Sequence, residues 1–597
     1  MGGDWYCHNW PPDIKSWKLQ DAPKLWDTHQ KLKALGLRDP WLRNYVWVYE
    51  GIPLSHSLIK NSVSLLHGFP LAFGLMAVTI IIAKTFDILQ YKPNFIQIIK
   101  RSKLKNIKMP FDKDANNIIK EGNSCIELCN GAFYNPVQEF NRDISSLIIK
   151  NFITNKKKNN SNNHDKKIKL LDAMSATGLR GIRYATEINE IDEIIVNDIS
   201  PHVKDTIQKN IDRNDVSDRV KISINDAKLV MLQNINTFDV IDLDPYGTAA
   251  PFLDSAVQSI SDGGLICVTC TDTSVLVGNT PETCYAYYGS VSHKTPYFNE
   301  SCLRILLQSI NNHANRYGKF IEPLLSISVD FYVRVFVKIH HGAQKVKKSI
   351  LKLSRVVSCV QCHSFEFIPL VSLDVSNKSL RKNVKPENQI KNKYRPSIVN
   401  INENCLICGG RKKLWGPIWN DKIHNYEFVS GLLKFVEELD EDNPYRTLKR
   451  IYGTLSLVSE ELQNCPFYFT IRDIFSKTKL ASIPIKFLNS CILNAGYHVS
   501  LFHACPESIK TDAPFFFIWT MMKKLLLEND VTSKNIDLPK FNFMKIILNS
   551  KFNVPIDSIN FNIHPKVVPV SQEKKLLRWQ HNPLPNWGPK SKQKKTH

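Results

Sequence analysis

From Ile168 onward, hydrophobic and polar positions alternate between two repeats. The run IKLLDA fits one short buried strand, the small residues Ser175–Gly181 fit a turn, and LRGIRYATEI has the apolar spacing of a helix. The same unit then recurs. EIIVND closes at Asp198, VKISIND at Asp226–Ala227, and FDVIDLDPYG at the Asp244 turn, with SDGGLICVTCTDT adding a glycine turn and a fifth strand. Strands alternating with helices predict a mostly parallel sheet covered on both faces. Residues 110–345 are therefore expected to form an α/β, doubly wound, Rossmann-like domain. Residues 411–570 read differently, as amphipathic helices mixed with short strands and aromatic core runs such as PFYFTIRDIF and APFFFIW. They place a second, α+β domain over 346–570.

The flanks follow other patterns. Between Lys60 and Lys84 lie 23 residues without a Lys, Arg, Asp or Glu, ending in FPLAFGLMAVTIIIA. A helix rising ~1.5 Å per residue over that length spans a hydrocarbon core of about 30 Å, so one transmembrane helix is expected near 65–83. Its polar start leaves a buried globular helix as the other reading. The run begins too late for a cleavable secretory signal. Residues 91–109 form a basic linker, NKKKNNSNNHDKK (155–167) a solvated low-complexity insertion, and 571–597 a basic tail carrying Trp579 and Trp587. The tail suits either RNA contact or a solvated end.

Composition narrows the partners. The 597 residues, enough for three or four folding units, carry 78 Lys plus Arg against 56 Asp plus Glu, a net charge of +22. This excess favours RNA or DNA over an anionic membrane surface, unless AT-rich coding has simply inflated lysine. Wholly disordered, collagenous and multi-span membrane classes are excluded. Fourteen cysteines in so long a chain argue for reduced thiols and metal rather than a disulfide scaffold.

The candidate chemistry sits at the strand ends. Asp172, Asp198, Asp226 and Asp244 each follow a strand, and in an open α/β sheet such positions converge on one crevice. Taken singly, each acid could equally be a helix cap or turn residue. A glycine turn containing Gly178, followed by an acid that can hold ribose hydroxyls, describes a dinucleotide dehydrogenase or any nucleoside-cofactor enzyme. No P-loop follows. Asp244-Pro-Tyr246 is the acid-Pro-aromatic arrangement of amino-methyltransferases. The acid accepts from a weakly nucleophilic exocyclic amine, while the ring stacks on the extruded base.

Cys359-Val-Gln-Cys362 and Cys405-Leu-Ile-Cys408 form two CxxC knuckles, the second followed by Gly409–Gly410. Four thiolates suit structural, tetrahedral zinc, with free thiols as the other reading. The basic stretch 371–400 between them is expected to be irregular. Cys267 and Cys270 share the spacing but fall in a predicted strand, where they face opposite sides as core residues.

Two resemblances stand beside this reading. FYNPVQEFNRDIS, LLDAMSATGLRGIRYA, VNDIS, DLDPYGTAAPFLDSA and GYHVSLFHACPESIKTDAPFFF resemble the tRNA guanine-26 dimethyltransferase family over about 110–590. The resemblance implies a methyltransferase that uses S-adenosyl-L-methionine to place two methyls on the 2-amino group of one guanine in tRNA. It implies that Asp244 is catalytic and that Phe133 and Tyr246 hold the guanine. Cofactor contacts would come from Arg142, Asp172, Gly178, Arg180, Asp198, Asp226 and Ala227. Cys359, Cys362, Cys405 and Cys408 would hold Zn(2+), in a family-specific C-terminal domain that also binds tRNA. Separately, KLKALGLRDPWLRNYVWVYEG within residues 1–90 resembles the beta subcomplex subunit 3 family of mitochondrial complex I, a structural accessory subunit. That implies association with complex I or the inner mitochondrial membrane, through a true fusion or two merged gene models. The enzyme part alone points to the nucleus, the mitochondrion or both. The competing functions are a structural complex I subunit and a DNA amino-methyltransferase.

Overall fold

The computed structural model describes residues 118–128, 134–159, 167–377, 390–529 and 542–579. Contacts divide the chain into 1–115 and 116–597, and every described residue belongs to the second unit. The complex I-like segment, the span near 65–83, the linker 91–109, Phe133 and Trp587 therefore lie outside the described residues. Among those described, no helix is long and apolar enough to cross a membrane.

The alternating segments form β1 (Lys169–Asp172), β2 (Glu193–Asp198), β3 (Val220–Ile224), β4 (Phe238–Leu243) and β5 (Ile260–Cys270). A closing hairpin adds β6 (Lys319–Val329) and β7 (Tyr332–His341). They make one seven-stranded sheet in the order β3-β2-β1-β4-β5-β7-β6. The first five strands pair in parallel, and β7 runs antiparallel to both of its neighbours. Strand order reverses between β1 and β4, so a crevice opens at their carboxyl ends.

Period-two alternation sends neighbouring side chains to opposite faces. Leu170, Val240, Leu265 and Cys267 pack into one core with Ile144 and Leu147 of α1 (Glu139–Asn159) and Ile182 of α2 (Leu179–Glu187). Leu171, Ile241, Ile266, Val268 and Cys270 pack into the other with Leu303 and Leu306 of a helix spanning Phe298–Arg316. The carboxyl-terminal half shares both cores. Trp415, Trp419, Phe467 and Phe502 join the second, while Leu432, Ile451 and Leu455 join the first.

Two local expectations need correction. The stretch 371–400 is not irregular throughout, because Val371–Asn377 pairs with Ile390–Pro396 in antiparallel register. The lysine-rich run is not wholly a loop either. Helix α1 continues to Asn159, and Lys156 reaches back to Asp239 at 2.6 Å.

One ion network ties the amino-terminal hairpin (Ile118–Glu121 with Ser124–Glu127) to this frame. Arg183, 1% exposed, contacts Glu121 at 2.8 Å, Asp143 at 2.7 Å and Glu187 at 2.7 Å. Burial pushes the Glu121 carboxyl up, yet Arg142 and Arg183 together hold it down at about 2. The second Asp143 oxygen accepts from the backbone and hydroxyl of Thr447, so the network also reaches the carboxyl-terminal half. Arg183→Met should cost about 3–5 kcal/mol, because it strands buried carboxylates without their partner. Urea denaturation measures that loss.

Candidate functional site

The crevice is shaped first by its turn. Ala176 (φ 51°) and Gly178 (φ 80°) take left-handed backbone, and Gly178 starts α2. Gly181 lies so close to β2 that a Cβ there would meet Val196 Cγ1 at 2.2 Å. Asp172, buried at the end of β1, accepts from the Gly181 N–H at 3.0 Å. Burial and the neighbouring Asp242 push its carboxyl up to about 7, against the pull of Arg180. Asp172 therefore supports the turn from beneath.

The next two acids also engage backbone. Asp198 accepts from Ala176 N–H at 3.0 Å and from Ser200 N–H at 2.9 Å, which joins the β1 turn to the end of β2. Asp226 is the N-cap of the helix Ala227–Gln233 and accepts from Lys228 N–H at 2.8 Å, with Ala227 buried behind it. These caps do not consume the acids. Each carboxylate is only partly buried and retains acceptor capacity at a strand carboxyl end.

Beneath the crevice lies a row of buried charges. Asp242, on β4, pairs with Arg334 of β7 at 2.7 Å and with Arg180 of α2 at 3.4 Å, and accepts from the Tyr184 hydroxyl. Burial opposes ionisation of Asp242, but Arg334 and Arg180 keep its carboxyl below the usual range. Arg334 also donates to Thr269 at 2.8 Å and to Ser145 at 2.9 Å. Arg180 then extends upward, and its Nη2 donates to Asp244 Oδ2.

Asp244 has 27% of its side chain exposed and opens the turn that follows β4. Gly247 (φ 81°) closes that turn through reciprocal hydrogen bonds with Thr271, 2.9 and 2.8 Å long. Tyr246 is 48% exposed. Its hydroxyl is raised well above the ordinary range by partial burial and by Asp244 and Asp198. Arg142 reaches the same cleft but is tethered: Glu121 takes its Nε and Nη2 at 2.5 and 2.6 Å, and the Tyr134 ring lies 5.2 Å away.

Of the residues expected from sequence, the structure thus gathers Arg142, Arg180, Asp244 and Tyr246 around one cleft, beside the Ser175–Thr177 turn. Gly178 and Asp172 shape it from below, and Asp198, Asp226 and Ala227 stand at the adjoining strand ends. Tyr134 and Phe331 also line the cleft, and neither was singled out from sequence. The local sequence pattern does not mark Arg334 or Asp242 as site residues either. The signal for Arg334 was a lone arginine within the apolar strand YVRVFV.

The four knuckle cysteines converge elsewhere, at the end of the strand Leu353–Cys359. All four sulfurs lie within 4.8 Å of one another, with Cys359–Cys408 at 3.4 Å and Cys362–Cys405 at 3.6 Å. Such spacing fits four sulfurs around one tetrahedral ion with bonds of about 2.3 Å. The glycines serve the fold of the knuckle: Gly409 is left-handed, and a Cβ on Gly410 would meet Cys359 Sγ at 3.0 Å.

A second buried group, His424, Glu461 and His503, has metal-ligand residue types but the wrong polarity. Ser326 N–H donates to His424 Nδ1 at 3.2 Å, and Ser328 N–H donates to His503 Nε2 at 3.0 Å. A metal-bound imidazole needs its outer nitrogen to donate instead. This group is a hydrogen-bonded latch onto β6.

The family model described as N2,N2-dimethylguanosine tRNA methyltransferase matches residues 114–523. The NADH-ubiquinone oxidoreductase B12 subunit family matches residues 38–92. The tRNA (guanine(26)-N(2))-dimethyltransferase of Drosophila melanogaster is 38% identical over 509 residues, covering 79% of this chain and 86% of the relative. The mitochondrial tRNA (guanine(26)-N(2))-dimethyltransferase of Saccharomyces cerevisiae is 37% identical, over 80% of this chain and 92% of its own. Trm1 from Pyrococcus horikoshii, solved in complex with S-adenosyl-L-methionine, is 26% identical with a TM-score of 0.55, covering 67% of this chain and 98% of that one.

Proposed function

The chain belongs to the N2,N2-dimethylguanosine tRNA methyltransferase family, and from that premise we propose that it dimethylates the exocyclic 2-amino group of guanine 26 in tRNA, with Asp244 as the catalytic acid. One observation carries the reading: a partly exposed carboxylate, fixed by Arg180 at the carboxyl end of β4, beside the ring of Tyr246 in a single cleft.

The donor set fits S-adenosyl-L-methionine. Asp198 and Asp226 offer carboxylate oxygens suited to ribose and adenine donors, and the Ser175–Gly178 turn brings backbone to the crevice without large side chains. Arg142, Gly178, Arg180 and Ala227 complete the proposed contacts, with Asp172 acting through the backbone of Gly181. When bound, this cofactor supplies the electrophilic methyl group.

The chain's own residues do the rest. Asp244 accepts an N–H of the guanine amine, fixes the direction of the nitrogen lone pair, stabilises the positive charge that develops there and receives the proton the nitrogen releases as its new bond to carbon forms. Tyr246 and Phe133 stack on the base and hold it out of the RNA helix. The cationic surplus serves a polyanionic substrate, and residues 346–570, with the basic tail, provide the remaining tRNA-binding surface. Cys359, Cys362, Cys405 and Cys408 would hold a structural zinc ion that fixes the knuckles of this region.

For residues 1–90 we propose attachment to the inner mitochondrial membrane or to complex I. The match over 38–92 supports this, and the mitochondrial label of the yeast relative agrees with it.

Three measurements test these assignments. Asp244→Ala should abolish methyl transfer to tRNA while calorimetry still detects cofactor binding; Asp244→Asn should keep partial turnover if positioning matters more than charge. Cys405→Ser should lower metal content and melting temperature together, because a structural metal contributes folding free energy. Deleting residues 1–100 should leave methylation intact and move the protein from the membrane fraction to the soluble one.

A further inference from the structure

The strands β6 and β7 are joined by only two residues, Asp330 and Phe331, since Val329 pairs directly with Tyr332. Asp330 takes positive φ (49°), as the first residue of so tight a hairpin often must. Turn chemistry explains an aspartate there. It gives no reason for a phenylalanine at the tip, where glycine or a small polar residue is usual.

Contacts from Tyr332 and Arg450 hold this tip in place. The Tyr332 ring, itself buried, meets Phe331 edge-on at 5.7 Å between centroids. Arg450 donates to both Asp330 oxygens at 3.2 Å, while its guanidinium lies 4.5 Å from the Phe140 ring. Arg450 belongs to the carboxyl-terminal helix Leu448–Glu460, whose preceding residue Thr447 is bonded to Asp143. The ring thus held lines the same cleft as Asp244, Pro245 and Tyr246.

We infer that Phe331 is a base-contact residue of the acceptor site, giving the guanine an aromatic wall in addition to Tyr246, and that Arg450 is a positioning residue acting through Asp330. The inference rests on the reading of the cleft as a guanine site. An extruded base must recover the stacking it has lost, and every planar base can recover it against a ring. Because the tip is set by a helix of the carboxyl-terminal half, seating of that half fixes where the base comes to rest.

The test uses the full chain and tRNA carrying 2-aminopurine at position 26, a base whose fluorescence falls when it stacks. Phe331→Ala should raise the fluorescence of the bound complex above wild type and lower kcat/KM on ordinary tRNA on the order of 10- to 100-fold. Calorimetric affinity for S-adenosyl-L-methionine should not change. Phe331→Tyr should restore both readouts, whereas Phe331→Leu, which keeps the apolar volume, should not. Arg450→Gln should reproduce part of the fluorescence rise. Wild-type fluorescence and turnover in Phe331→Leu would overturn the inference while leaving the methyltransferase reading intact. Absence of methylation by the wild-type enzyme would overturn both.

Discussion

Everything at the mouth of the crevice depends on one buried carboxylate, Asp242, and the two guanidinium groups paired with it. Arg180 and Arg334 are both nearly inaccessible to water, and either one alone would cost several kcal/mol to bury. Asp242 lies between them on the central strand and offsets one of the two charges, while Asp244, paired with Arg180, offsets the other. The arrangement draws together α1 through Ser145, α2 through Arg180, β4 through Asp242 and β7 through Arg334. Its product is a guanidinium whose outer nitrogen is held against Asp244. A carboxylate on a surface turn would otherwise sample many rotamers, and here it is given one.

Sequence alone exposed the parts of this design that are local. Strand ends, the left-handed turn at Gly178 and the two CxxC knuckles all follow from short-range patterns, and each stands where its pattern put it. The acids at the strand ends were legible as a set, but their individual duties were not. Asp226 caps a helix and Asp172 props a turn, both of which are ordinary local uses of aspartate. Arg334 and Phe331 were hidden for a different reason. Each gains its meaning from a partner far away in the chain, 92 residues from Asp242 to Arg334 and 87 residues from Phe331 back to Asp244. Composition also misled. High charge made 371–400 look irregular, although Val371, Leu373 and Val375 alternate with polar residues and Val371–Asn377 pairs with Ile390–Pro396.

Two charged contacts join the carboxyl-terminal half to the rim of the crevice. Thr447 bonds Asp143, which follows Arg142 in the chain, and Arg450 bonds Asp330, which precedes Phe331. Both contacts come from the start of one helix, so its first turn touches two walls of the same cleft. The shared cores explain why this geometry is firm: aromatic and aliphatic side chains of both halves pack as one body on each face of the sheet. A region that binds the tRNA body and also sets the walls around the base would couple recognition at a distance to alignment of one amine.

The pairing at Asp244 bears on how two methyl groups can reach the same nitrogen. Arg180 takes Oδ2, and Oδ1 has no protein partner among the described residues. On the proposed reading, one oxygen is therefore left to accept one N–H of the guanine amine. The unmodified amine has two such hydrogens and the monomethylated amine still has one, so both present the same hydrogen bond to the same atom. A site that gripped both hydrogens would lose half its hold after the first transfer and stop there. With a single acceptor, the second transfer can use the alignment of the first, provided the cleft leaves room for the methyl group already in place.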